Sequence, residues 1–365
     1  MEGRIIGSVI GLGGVGDDMG GGMIGSIIGS GGMGDGMGGA MIGSVIGLGG
    51  VGDGIRGGMI GLVIGFGGVG DDGPRSVGDD VVCVNFGGHG IVPSITKKLV
   101  ATDHIEQVKI GKDKPCIFLE GVNSKTTIIQ YDAHEATDTS ITFSLLAENF
   151  VAKNIGFKNT YNLDGAGHPR VPAVAAFIYG DKASFYSCGF IGLQDTLWDE
   201  LGRHYFEQCY IEGAMDFIFG GGQTIYEKCT IQVTADALYQ SNGGIGFITA
   251  QRRLSADHPS GYVFKQAAVV GRGLTHLGRA YGPYSRVIFV RSMLSEVVVP
   301  EGWNAWTYVG QEENLVYAES RCFGVGSDTS KRVPWEKKLS DSQLRDLTEL
   351  SFIDQEGWIE KQPKG

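Results

Sequence analysis

The chain has 365 residues, 42 % of them hydrophobic and 19 % charged, with a formal net charge of −11. That apolar share can fill the core of one large domain or two ordinary ones, and the acidic balance without a dense Lys/Arg cluster argues against a nucleic-acid partner. Glycines and the Asp17–Asp18 pair break the first apolar run far short of membrane-spanning length, and no basic-then-apolar export signal opens the chain.

Residues 1–79 read as a low-complexity segment ahead of a domain at 80–362. Of the 62 glycines, 31 lie in residues 1–73. There IIGS at Ile5, MIGS at Met23 and Met41, and MIGL at Met59 recur at one fixed period. Glycine costs backbone entropy on ordering and brings no side chain to bury, so this segment is expected to lack fixed structure. Gly11–Gly16, Gly47–Gly52 and Gly65–Gly70 each spell GxGxxG. None opens a helical stripe, which a dinucleotide site requires. The GGVGDD copies also fail to keep the period of a calcium-binding β-roll.

From about Asp80 to Trp358 the sequence is a series of short apolar runs broken by Gly, Asn and Asp. FYSCGFIG from Phe185, YFEQCYIEG from Tyr205 and IYEKCTIQV from Ile225 align on Cys188, Cys209 and Cys229, at nearly equal steps. Phe190, Ile211 and Ile231 follow these cysteines by two and fall on one strand face. A coil of that length predicts a parallel β-helix in which equivalent residues stack about 4.8 Å apart. The cysteines then form an internal ladder of small apolar groups. No CxxC pair and no His at zinc-ligand spacing suggests a metal. Near the end, LSDSQLRDLTEL predicts a helix capped by Ser340 or Asp341.

Asp195 in GLQDTLWD and Asp216 in AMDFIFGGG are separated as Cys188 is from Cys209, by one coil. Either could merely cap a turn. Stacked on neighbouring rungs and flanked by aromatic residues, however, two carboxyls cannot both ionise easily, and one retains a proton. A protonated acid beside an ionised nucleophile is a working pair for ester cleavage.

The blocks QDTLWD, GRHYF, CYIEGAMDFIFG, FITAQ, LGRAYGPYSR, EGWNAW and DTSKRVPWEKKLS closely resemble those of plant pectinesterases, over most of the chain from near Val81 to near Trp358. The resemblance implies an all-β, right-handed parallel β-helix with a short C-terminal helix, hydrolysing the methyl esters of pectin to pectate and methanol. It implies Asp216 as nucleophile, Asp195 as acid and then base, Gln194 as a donor to the oxyanion, and Arg279 as the holder of Asp216. It also implies that Trp198, Phe219, Tyr281 and Trp303 line the pectin groove. No cofactor or metal is expected, and no membrane partner. A monomer is favoured, acting outside the cell in the wall.

Three departures from the family pattern stand out. Pro172 replaces the Gln of a QAVAL-type block, removing a side-chain donor and a backbone N–H. Loss of one oxyanion donor typically costs roughly 10²–10³ in rate, so a pectin-binding protein with weak catalysis is the alternative. Thr102 and His104 replace the Gly and Tyr of a GxYxE block ending at Glu106, and the first coil is expected to be incomplete. Tyr281 stands where the family usually has Trp. A β-helix glycosidase is disfavoured: Gly88-His89-Gly90 lacks the accompanying aspartate blocks.

Because glycine repeats bury too little surface to offset their ordering entropy, deleting residues 1–73 is expected to leave the melting transition of the remainder unchanged. Calorimetry of the truncated chain checks this, and a truncated protein that fails to fold refutes it.

Overall fold

The computed structural model describes residues 105–163, 169–238 and 244–363 throughout, and before residue 105 only the backbone of short strands. The chain divides into two compact units, Met1–Gly73 and Pro74–Gly365. In the first, Met23–Gly29 lies parallel to Met41–Leu48 with Met23 opposite Met41 and Gly29 opposite Gly47, which is the offset of the sequence repeat. The expectation of a segment without fixed structure falls mostly on residues outside the described ones.

The second unit is a parallel β-helix. Each coil contributes one strand to each of three sheets, and every pairing within the sheets is parallel. One sheet runs from Ile95–Leu99 through Ala183–Tyr186, Arg203–Glu207 and Gln223–Glu227 to Val316–Ser320. A second runs from Asp103–Ile105 to Met293–Leu294. The third, from Arg75–Ser76 to Trp303–Asn304, carries the candidate site. Parallel strands joined through crossovers wind right-handed. The strands Ile95–Leu99, Asp103–Ile105 and Val108–Ile110 each enter one of the three sheets, and the expectation of an incomplete first coil falls on residues, Thr102 among them, outside the described ones.

Stacking of like residues fills the interior. Phe206 lies between Phe185 at 4.7 Å and Tyr226 at 4.8 Å, and Phe264 and Phe289 continue the column at 4.7 and 4.4 Å. Phe190, Ile211 and Ile231 stand in register on the second sheet, all fully buried. The corner between these two sheets explains the cysteine repeat. Asn154, Ser187, Gln208, Lys228, Gln266, Arg291 and Arg321 all adopt positive φ there, one per coil. Each turns the chain within a residue, and from Asn154 to Arg291 its N–H bonds to the next coil, as Ser187 N does to Glu207 O at 2.9 Å. The residue that follows is buried in the corner: Ile155 on an early coil, then the small Cys188, Cys209, Cys229, Ala267 and Ser292 on the coils after it. The Cys209 thiol donates to Phe185 O at 3.3 Å and the Cys229 thiol to Phe206 O at 3.5 Å. Cys322 repeats the contact on Phe289 O at 3.4 Å and extends the ladder to a fourth cysteine.

The C-terminal helix spans Asp341–Thr348. Ser340 is its N-cap: the Ser340 hydroxyl accepts from Gln343 N, and Gln343 Oε1 accepts from Ser340 N.

Truncating a ring in the stacked column leaves a void that a coil fixed by its neighbours cannot close. Phe206→Ala is therefore expected to lower unfolding free energy by about 3–5 kcal/mol, measured by denaturant titration.

Candidate active site

Register on the third sheet sorts its side chains into two columns. Ala176, Leu197, Ile218, Thr249, Gly278 and Trp303 follow one another on successive rungs and face the interior. Phe177, Trp198, Phe219, Ala250 and Arg279, each one residue further on, face outward. Trp198 and Phe219 stack at 5.3 Å, with Phe177 tilted against Trp198 at 4.7 Å. The Trp198 indole donates to Glu200 Oε2 at 2.9 Å, and Glu200 is in turn paired with Arg252.

Trp303 corrects an expectation. It is 1 % exposed and stacks on Tyr317 at 4.7 Å in the core, because its strand parity matches the inward column. The aromatic group at the surface is Trp306, 42 % exposed and stacked on Tyr281 at 5.8 Å. The Arg279 guanidinium carbon lies 4.4 Å over the Trp306 ring and 4.8 Å over Phe247.

Asp216 is aimed by an irregularity in the ladder. Met215 pairs with Phe247 but Ile218 with Thr249, so this strand carries one extra residue. Asp216 takes φ 48° there, while Phe217 turns into the core. A bulge of this kind re-aims a side chain beside a site. On the preceding rung Asp195 has φ 60°, its N–H bonds to Met215 O at 3.0 Å, and Gln194 bridges Met215. The two aspartates thus sit on adjacent rungs, both held in the left-handed region at a conformational cost. The Arg279 guanidinium grips Asp216 with two donors, Nε to Oδ1 at 2.7 Å and an Nη to Oδ2. The small Ala250 occupies the outward column between Phe219 and Arg279.

Burial pushes both carboxyls up. For Asp195 burial is the largest cause, the Asp216 charge adds to it and Arg279 opposes it, leaving the group at about 7. For Asp216 burial raises the pKa while the charge and hydrogen bonds of Arg279 oppose the rise. Both Asp216 oxygens accept from the guanidinium, so the proton of the pair belongs on Asp195.

Behind Trp198 the strand is anchored by a fully buried cluster. The Asp199 carboxylate meets His204 Nδ1 at 2.5 Å and accepts from Tyr226 OH at 2.6 Å, while Tyr262 OH donates to Asp199 O at 2.8 Å. Gly220 closes the neighbouring strand with φ 116°, where an added Cβ would lie 2.3 Å from Asp199 O.

Of the residues expected at the site, Asp195, Asp216 and Arg279 converge, Gln194 adjoins Asp195 in the chain with its side chain on Arg170, Trp198 and Phe219 stack on each other, and Tyr281 stacks on Trp306. Sequence reading missed Trp306, which stood in the EGWNAW block, as well as Phe177, Phe247 and Arg170. Arg170 Nε donates to Gln194 Oε1 at 3.1 Å, a contact across 24 positions that no local signal carries.

A family model described as Pectinesterase matches residues 96–356. The chain is 51 % identical over 301 residues to Probable pectinesterase 55 of Arabidopsis thaliana, covering 77 % of this chain and 91 % of that protein. It is 46 % identical over 309 residues to Probable pectinesterase 29 of the same plant, covering 80 % and 92 %. Its fold matches the solved pectin methylesterase from carrot with a TM-score of 0.67 at 28 % identity, over 73 % of this chain and 86 % of that one.

The raised Asp195 carboxyl has a consequence for stability. Its pKa moves from the usual 3.8 to about 7 in the folded state, so between those values the folded protein binds more protons than the unfolded chain. Its contribution to stability therefore falls as pH rises from about 4 to about 7. Asp195→Asn removes the ionisation: the variant is expected to match the parent in Tm near pH 4 and to exceed it above pH 7, as followed by calorimetry across that range.

Proposed function

The chain belongs to the pectinesterase family, carboxylic ester hydrolases that remove methyl groups from pectin, and on that premise we propose that Asp216 is its nucleophile and Asp195 its acid and base. The observation that carries the assignment is the unequal environment of two carboxyls on adjacent rungs, one gripped by Arg279 and the other raised to about 7.

The chemistry follows in two halves. An Asp216 oxygen attacks the ester carbonyl carbon, forming a C–O bond, and the carbonyl oxygen becomes an oxyanion. The Gln194 side-chain amide donates to that oxygen. As the oxyanion collapses, the bond to the methoxy oxygen breaks, the Asp195 proton passes to that oxygen, and methanol leaves. Asp195, now ionised, takes a proton from water as the water attacks the acyl carbon. Asp216 is released as carboxylate, Asp195 regains its proton, and the product leaves as the galacturonic acid, which gives its proton to solvent to become the carboxylate. Arg279 keeps Asp216 charged and oriented before attack. No step draws on a metal or a nucleotide.

Pectin is the partner. Trp198, stacked on the buried Phe219, and the exposed pair Tyr281 and Trp306 offer flat apolar faces to sugar rings. Arg170, whose side chain meets the neutral amide of Gln194, brings a positive charge to this face of an otherwise acidic protein, which suits a uronate polymer, while Arg252 and Arg279 are paired with Glu200 and Asp216. Plant members of the family act on cell-wall pectin, and the same extracellular setting is proposed here. Among the described residues no helix is long and apolar enough to cross a membrane.

Asp216→Asn keeps the size of the side chain but removes the attacking anion. It is expected to lower methanol release from methylated pectin by at least roughly 10³-fold while the protein remains folded. Substantial turnover by the folded variant would remove Asp216 from the mechanism.

A further inference from the structure

A side-chain amide has a donor end and an acceptor end of nearly the same shape, so a glutamine that must donate to an oxyanion needs something to forbid the flipped orientation. At Gln194 that discriminating group is Arg170, whose Nε lies 3.1 Å from Gln194 Oε1. A guanidinium has donors only, so it accepts the amide oxygen as neighbour and rejects the NH₂. The amide is thereby set with its oxygen on Arg170 and its two N–H groups turned away. A cation on the oxygen also polarises the amide and strengthens donation from its nitrogen.

The backbone that carries Arg170 is fixed on its far side. Asn162 Nδ2 donates to Val171 O at 2.7 Å and Asn162 Oδ1 accepts from Val171 N at 3.3 Å. Ala173 N then bonds to Gln194 O at 3.2 Å. Between these anchors Pro172 restricts the chain through its ring. The same segment that lacks a side-chain donor at Pro172 thus delivers a cation to the remaining donor.

We propose that Arg170 is a positioning residue of the esterase site, locking the Gln194 amide in its donating orientation, and that this pair replaces the second oxyanion donor that Pro172 cannot supply. The proposal rests on the reading of Gln194 as the oxyanion donor.

The test is a double-mutant cycle on the full chain, with methanol release from methylated oligogalacturonate giving kcat and KM separately. Gln194→Ala is expected to lower kcat about 10²-fold, the scale of one oxyanion donor. Arg170→Ala is expected to lower kcat roughly tenfold or more, with KM within about twofold and Tm unchanged, because the flipped amide becomes accessible. The double variant should be no slower than Gln194→Ala alone, and Arg170→Lys, which keeps a donor, should recover part of the loss. A damaging Gln194→Ala beside a silent Arg170→Ala overturns the proposal but leaves the oxyanion reading intact. Losses that multiply in the double variant, or an effect confined to KM, show that Arg170 meets the substrate directly and likewise overturn it. A silent Gln194→Ala removes the oxyanion reading and the proposal with it.

Discussion

Parallel stacking of coils in register is the constraint on which the rest of this molecule depends. With strands about 4.8 Å apart, each side chain sits on the equivalent side chain of the coil before and supports that of the coil after. The interior column from Phe185 to Phe289 exists because ring on ring is a favourable answer at that spacing. The corner column from Cys188 to Ser292 is made of small groups, each set inside the coil by the positive-φ residue before it. Backbone hydrogen bonds continue round the corner, so the coils lock together there as well as along the sheets.

The geometry of the proposed site uses the same stacking and departs from it at one place. One-coil spacing brings Asp195 and Asp216 to adjacent rungs, and the extra residue beside Met215 turns Asp216 out of the ladder. Both aspartates hold left-handed backbone and raised pKa values, so the site is a net cost to the fold. The surroundings offset it: Arg279 compensates one carboxylate, and the buried Asp199–His204–Tyr226 cluster anchors the strand behind Trp198. Burial thus does two things at once. It leaves the proton on Asp195 and strengthens the hold of Arg279 on Asp216.

The residues proposed for recognition and for chemistry share one outward column. Trp198 and Phe219 lead along the sheet to Ala250 and Arg279, and Trp306 closes over the far face of the same guanidinium. Arg279 therefore belongs both to the ion pair and to an aromatic platform. The small residue between Phe219 and Arg279 matters in this arrangement, since a large outward side chain at Ala250 would stand in the path of the arginine.

The amino-acid sequence by itself determined the coil. The nearly equal steps from Cys188 to Cys209 to Cys229, with apolar residues two positions on, set the repeat and the register of Phe190, Ile211 and Ile231, because each coil must match its neighbours. The same spacing paired Asp195 with Asp216, and the motif blocks pointed to Gln194 and Arg279. Tertiary structure decided what spacing cannot carry. Trp303 and Trp306 belong to one motif, yet only strand parity and the turn after Asn304 put the first in the core and the second at the surface. Which carboxyl holds the proton follows from burial and from an arginine 63 positions away in the chain. The contact of Arg170 with Gln194 arises because a loop folds back across a coil, and local sequence does not record where a loop returns.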